Sequence, residues 1–255
     1  MPRLCILWIL LFLGCKPASA ELLQWSSSEV QYLFGSNYQI PFNNKDVSQS
    51  IITLTHADGW AYGRNFFFVD TLITHAGQPS QTNVYGEFYS YLSLSKLAHQ
   101  DWSIGLIKDL NITVGGNLGQ NFDLPKPGTR AFLYGVTLDF NLPGFKLFTV
   151  DFLQHVQFDP SPNGASWQIT PVWNLPFEVA GLHFSLQGFT DFIGAKHANY
   201  VSNILAQPQL RLDIGEFWGR AEQLYIGIEY QYWHNKYGIK GLHEEVAQAL
   251  LVLHF

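Results

Sequence analysis

The feature that most limits this chain is an alternation that repeats from one end to the other. Segments of about ten residues carry apolar side chains at every second position, and each closes on Gly, Pro, Asn or Asp. Successive side chains of a strand point to opposite faces. In 110–119, Leu110, Ile112, Val114 and Leu118 therefore share one face, and Asn111, Thr113 and Asn117 the other. In 204–214, Ile204, Ala206, Pro208, Leu210, Leu212 and Ile214 oppose Leu205, Gln207, Gln209, Arg211 and Asp213. In 224–233, Leu224, Ile226, Ile228, Tyr230 and Tyr232 oppose Tyr225, Gly227, Glu229, Gln231 and Trp233. In 147–158, Phe148, Val150, Phe152, Val156 and Phe158 oppose Thr149, Asp151, His155 and Gln157.

A soluble β-sandwich alternates as well, so the pattern alone does not choose between water and lipid. The uncharged faces choose: they run on without a charge, and the sequence offers no helices to cover them. Such faces need hydrocarbon, and strands in hydrocarbon need every backbone group paired, which a closed barrel provides. Composition agrees, with 13% charged residues, 16% aromatic residues, 22 Gly and a single Met. The predicted strands are 24–34, 49–57, 62–72, 83–94, 110–119, 130–142, 145–158, 166–175, 182–194, 203–215, 224–235 and 246–255. The expected fold is thus all-β, a transmembrane antiparallel barrel of twelve strands, an even number as in bacterial barrels. After the N-terminal segment no apolar run is long enough for a membrane helix.

Residues 1–20 read as a secretory signal: Arg3, an apolar run over 4–14, then small residues at Ala18 and Ala20, with cleavage expected after Ala20. Leu13, Gly14 and Cys15 partly resemble a lipidation box, which is the competing reading. Residues 21–255 form the barrel domain. Both cysteines, Cys5 and Cys15, lie in the N-terminal segment, so the barrel has no disulfide or zinc-thiolate site. A net charge of −6 with no basic run argues against nucleic acid as a partner.

The final strand sends Ala247, Ala249, Leu251, Leu253 and Phe255 outward, with Gln248 and His254 opposite. A terminal Phe in this position resembles the signal that outer-membrane barrels present to their assembly machinery. Trp167, Trp173, Tyr232 and Tyr237 are expected at the membrane interfaces. Inside, RNFFFVD (64–70) turns Arg64, Phe66, Phe68 and Asp70 to the lumen and Phe67 and Val69 to lipid. The following segment turns Tyr85, Glu87, Tyr89 and Tyr91 inward and Val84, Phe88 and Leu92 outward. Rings in a lumen can stack on a flat solute, or they can simply fill a narrow barrel. Arg64 and Arg211, opposed by Asp70, Glu87, Asp151, Asp191, Asp213 and Glu229, can orient dipolar solutes and discourage phosphorylated ones, or can pair across the lumen to hold its shape.

Several stretches occur together in one order: YLFG at 32–35, GWAYGRNFFFVD at 59–70, EFYSYLSLSKL at 87–97, WSIGLIKD at 102–109, QITPVWNLPF at 168–177, LHFSLQGFTDF at 182–192, EYQYWHNKYG at 229–238 and ALLVLHF at 249–255. This set resembles the nucleoside-specific channel-forming outer-membrane proteins of the Tsx and OmpK type. The resemblance implies a monomeric barrel in the outer membrane of a Gram-negative bacterium, with a narrow pore that passes nucleosides and deoxynucleosides by diffusion and without a cofactor. Members also serve as phage and colicin receptors. On the matched motifs, Phe34 falls at the N-terminal pore aromatic, and Phe66, Phe68, Asp70 and Glu87 fall on the lumen side. Asp191, Glu229, Tyr232 and Trp233 match later motifs, although alternation sends Tyr232 to lipid. The chain departs from the pattern in its short loops and in TLTHADGW (53–60), which carries few aromatic residues.

Two further function classes share this barrel architecture. An outer-membrane lipase needs a Ser–His pair at the rim; His155 with Ser161, Asn163 and Ser166 imitates one, but Gln157 stands where that family's HxSNG pattern has serine. An enzyme is therefore not expected. His183, His197, His234, His243 and His254 lie on separate segments without zinc-ligand spacing, so no metal is expected. The third class is a general porin or receptor barrel with an inert interior.

Overall fold

The computed structural model describes residues 22–41, 46–75, 81–121, 128–159, 164–196 and 200–255. The expected signal segment, its cleavage site and both cysteines lie outside them, as do Ser161, Asn163 and His197.

The strands are β1 (Leu23–Tyr38), β2 (Val47–Trp60), β3 (Gly63–Thr74), β4 (Gln81–Ser93), β5 (Ile107–Asn121), β6 (Arg130–Phe140), β7 (Leu147–Asp159), β8 (Gly164–Val179), β9 (Leu182–Ile193), β10 (Asn203–Ala206), β11 (Gln209–Asp213), β12 (Leu224–His234) and β13 (Glu244–His254). From β1 to β9 each strand pairs antiparallel with its sequence neighbours, β12 pairs with β13, and β1 pairs with β13, so the sheet closes within one chain. β10 and β11 both run between β9 and β12 and are two halves of one barrel strand. The barrel therefore has twelve strands, and each predicted segment lies on one of them. The interruption falls at Gln207 and Pro208, where proline removes a ladder donor. Opposite it, Gly188 has φ 151°, and a Cβ there would sit 2.4 Å from the Gln207 carbonyl oxygen.

Strands of 11 to 16 residues exceed the roughly 9–11 that a tilted strand needs to span a bilayer. The start of β1 and the end of β13 lie at one end of the barrel, called here the terminal end. Its connections include Ala61–Tyr62, a short helix α1 (Leu94–Ala98) and the two-residue turn Ala180–Gly181. Ala180 and Gly181 have φ 54° and 78°, the left-handed pair that a type I′ hairpin requires. The opposite, loop end carries the connections after β1, β3, β5, β7, β9 and β12.

The surface is inverted relative to a water-soluble protein. Val30, Tyr32, Ile52, Leu54, Phe88, Ile112, Val114, Phe132, Val136, Phe152, Leu210, Ile226, Ile228, Leu251 and Leu253 are exposed, whereas Gln31, Asn111, Thr113, Thr137, Gln168 and Gln248 are buried. Only a bilayer covers such an exterior at low cost. This is the architecture of an outer-membrane barrel. Aromatic residues gather toward both rims, with Trp167 and Tyr237 exposed as expected and Trp25, Trp102, Phe217 and Trp218 added at the terminal end.

Inside, two apolar clusters fill part of the cross-section. One joins Leu33, Tyr38, Val47, Ile51, Val246, Leu250 and Val252 from β1, β2 and β13. The other joins Tyr89, Tyr91, Ala131, Leu133 and Leu153, with Phe66 packed against it.

Candidate functional site: the lumen along β3 and β4

Alternation and register place the interior residues. On β3, Arg64, Phe66, Phe68 and Asp70 face inward, and on β4 Tyr85, Glu87, Tyr89 and Tyr91 do. Phe68 and Glu87 are direct cross-strand partners, as are Phe66 and Tyr89. Phe66 and Phe68 have ring centroids 6.3 Å apart, and Phe68 and Tyr85 6.1 Å. The Glu87 carboxylate accepts from the Tyr85 hydroxyl and, at 2.7 Å, from the Tyr89 hydroxyl. Asp70 accepts from Thr53 Oγ1 at 2.6 Å.

Exposure is uneven around the wall. The inward side chains of β7 from Thr149 to Gln157 and of β13 up to Val252 are buried, as are Asn111, Thr113 and Asn117 of β5. Phe66, Phe68, Asp70 and Leu72 of β3 and Tyr85 and Glu87 of β4 stay partly exposed. Across from them Val172, Gln187, Phe189 and Leu205 are also partly exposed. The accessible part of the lumen is thus a column along β3 and β4, walled by rings and two carboxylates.

The other expected residues fall in three places. Asp191 is buried on the inward face of β9, accepting from Thr170 Oγ1 at 2.6 Å and Gln168 Nε2 at 3.2 Å. Glu229 is buried on β12, accepting from Gln209 at 2.6 Å and Gln248 at 2.7 Å. Trp233 stands inward near the loop end, its Nε1 3.4 Å from Asn203 Oδ1. Tyr232 shares the outward parity of Ile226 and Ile228, as alternation required. Phe34 is a correction: it is 42% exposed on the outer face beside Val30 and Tyr32 and does not line the pore. A register irregularity between Gly35 and Tyr38, with Asn37 at φ 74°, reverses the parity beyond it. The inward aromatic of β1 is consequently Tyr38, whose hydroxyl donates to Gln248.

The two arginines are not held by the acidic residues expected to oppose them. Arg64 makes a bidentate pair with Asp139 of β6, at 2.6 and 2.7 Å, and its guanidinium lies 4.4 Å from the Tyr91 ring centroid. Arg211 pairs with Glu29 of β1 at 2.8 and 3.0 Å. Asp213 instead caps the terminal-end connection, accepting from the backbone N–H of Glu216 and Glu222. Asp139 and Glu29 escaped the sequence reading, although each shares its strand's inward parity, with Thr137 and with Gln31. Asp151 accepts from Thr137 at 2.7 Å.

His155 and Ser166 are in register but are not wired together. The His155 nitrogens meet Gln168 at 2.8 Å and Lys196 at 3.4 Å, while Ser166 Oγ donates to the Trp167 carbonyl. Among the described residues no group of three His, Cys, Asp or Glu side chains could hold a metal ion.

No protein-family model matches the chain, and no curated protein matches it. Among solved structures it is similar to a KdgM porin in complex with disordered oligogalacturonate, at 8% identity and TM-score 0.46, covering 89% of this chain and 99% of that one. It is also similar to the beta domain of the Bordetella autotransporter BrkA, at 10% identity and TM-score 0.41, covering 90% and 98%. A third likeness is Pseudomonas aeruginosa OccK11, at 9% identity and TM-score 0.40, covering 92% and 97%. Likenesses this distant carry no mechanism; the barrel rests on its own strand pairing.

Proposed function

We propose that this barrel is a narrow outer-membrane channel for flat polar solutes, with nucleosides and deoxynucleosides as its substrate class. The observation that carries the reading is the partly exposed inward row Phe66, Phe68 and Tyr85 beside Glu87 and Asp70. Stacking on such rings is worth about 1–3 kcal/mol per base. Glu87 and Asp70 offer acceptors to sugar hydroxyls, since a carboxylate has about four lone-pair sites. A solute passing through must also leave, so several weak contacts in series serve better than one deep pocket. The motif resemblance points to the same solutes. Phe255, 71% exposed and tied to Ser28 by two backbone hydrogen bonds, is the handle we assign to the barrel assembly machinery.

The test is solute entry into liposomes carrying the protein. Nucleosides are expected to enter faster than sugars of equal size, and Phe66→Ala and Phe68→Ala are expected to slow nucleosides selectively. Equal entry of both solutes, unchanged by either substitution, would leave a general porin.

A further inference from the structure

Three times in this interior a carboxylate meets aromatic rings, and in two of them a cation completes the group. Near the terminal end the cation is Arg64, paired with Asp139 and lying over Tyr91. At the loop end it is Lys236, whose Nζ is 2.5 Å from Glu244 and 5.1 and 5.3 Å from the Trp233 and Tyr237 ring centroids. The third lies midway, where Glu87 sits among Phe68, Tyr85 and Tyr89. Among the described residues no salt bridge reaches Glu87; its hydrogen bonds come from tyrosine hydroxyls. Asp70 and Asp191, each also without a salt bridge, interact electrostatically with Glu87. Three carboxyl groups therefore interact along one stretch of the wall, and among the described residues their hydrogen-bond donors are all neutral.

A second observation is independent of charge. Asn117 of β5 is the cross-strand partner of Glu87 on the inward face and is only 5% exposed. Its Oδ1 is buried and has no hydrogen-bond partner. Directly paired residues have Cβ atoms about 4.5–5.5 Å apart, so the Asn117 and Glu87 side chains leave the inner wall as immediate neighbours. A buried acceptor left unmade is costly. The group that satisfies an amide oxygen and a carboxylate together is one that only donates and carries positive charge, and the ring faces favour it further.

We infer that the midpoint of the lumen, at Glu87, Asn117 and Asp70 between Phe68 and Tyr85, seats an organic ammonium attached to a flat body, and that it makes the channel select cations over anions. This rests on the channel reading above and adds the charge of the preferred solute. Neutral nucleosides would use the same rings without the ammonium contact, and phosphorylated ones would be repelled.

Two measurements on the purified full barrel test this. In planar bilayers under a potassium chloride gradient, the reversal potential should report cation over anion permeability on the order of fivefold or more, falling about threefold in Glu87→Gln and in Asp70→Asn. In detergent, equilibrium binding should rank 2-phenylethylammonium about tenfold tighter than 2-phenylethanol, with phenylacetate weakest. Asn117→Leu should weaken the ammonium, and Asn117→Asp should tighten it. A general loss of folding would lower all three ligands together; the inference requires the order to change. Binding of the ammonium by a barrel that passes no current would overturn the channel and keep the seat. Current without cation preference, with the three ligands bound alike, would overturn the seat and keep the channel.

Discussion

The Arg64 corner and the Glu87 corner are built from the same parts and differ by one charge. Both present carboxylates and tyrosine or phenylalanine rings on the inner wall. At the first, Asp139 and Tyr91 are closed by a guanidinium in bidentate contact. At the second, Glu87, Asp70 and Asp191 meet hydroxyls and amides alone. The closed corner ties β3 to β6 across the lumen and holds its shape. The open corner borders the accessible column. A wall charge that is already paired has little left for a solute, so pairing separates structural from solute-facing charges better than position on the wall does.

The largest effect should come from breaking the closed corner. Arg64→Met leaves the half-buried Asp139 without its bidentate partner, a loss of about 3 kcal/mol, the lower end of what breaking a buried pair costs, readable as a lower urea midpoint for refolding into lipid. Glu87→Gln keeps an acceptor for one tyrosine hydroxyl and removes an unneutralised charge, so its midpoint should hold or rise. Equal losses from both would erase the distinction between the corners.

Next in size is the aromatic wall. Phe68→Ala should weaken nucleoside block of single-channel current roughly 5- to 150-fold, the equivalent of about 1–3 kcal/mol of stacking. Phe34→Ala, on the lipid face, should leave that block unchanged. A matching loss at Phe34 would mean that the parity reversal beyond Gly35 is misplaced.

These two phenylalanines also mark where the sequence was readable. Alternation by itself assigned Phe66, Phe68, Glu87, Arg211 and Glu229 to the inner face, since a period of two survives as long as pairing is regular. Phe34 was assigned from its place in a motif, against the alternation of Val30 and Tyr32 around it, and the structure sides with the alternation. The irregularity that follows, which brings Tyr38 inside, has no periodic signature. The arginine partners were illegible for another reason. Arg64 reaches β6 and Arg211 reaches β1, and which strands face each other across a lumen follows from closure and stagger, not from any local spacing. The interruption at Gln207–Pro208 falls inside the strand expected over 203–215, where the proline was read as one more apolar position, and the strand continues beyond it because Gly188 lets the neighbouring backbone approach.

The smallest effect concerns the loop-end mouth. Lys196, just past β9, contacts Gln157 and His155, and burial pulls its ammonium down to about 8. Below that pH it is charged and opposes cation entry; above it the charge is lost. Raising the pH from about 7 to about 9.5 should increase cation conductance by up to about twofold, and Lys196→Met should reduce the rise. A rise undiminished in the variant would assign it to another group.

The account depends on adjacent residues of β3 facing opposite media. Because the only cysteines are Cys5 and Cys15, replacing both with serine gives a background in which single cysteines in the barrel can be probed without interference. Phe67→Cys and Phe68→Cys, reconstituted in liposomes, should be compared for reaction with a cationic, membrane-impermeant thiosulfonate. Rapid modification at position 68 and none at 67 is the expected result; labelling at 67 with protection at 68 would contradict the inward aromatic wall on which the channel rests.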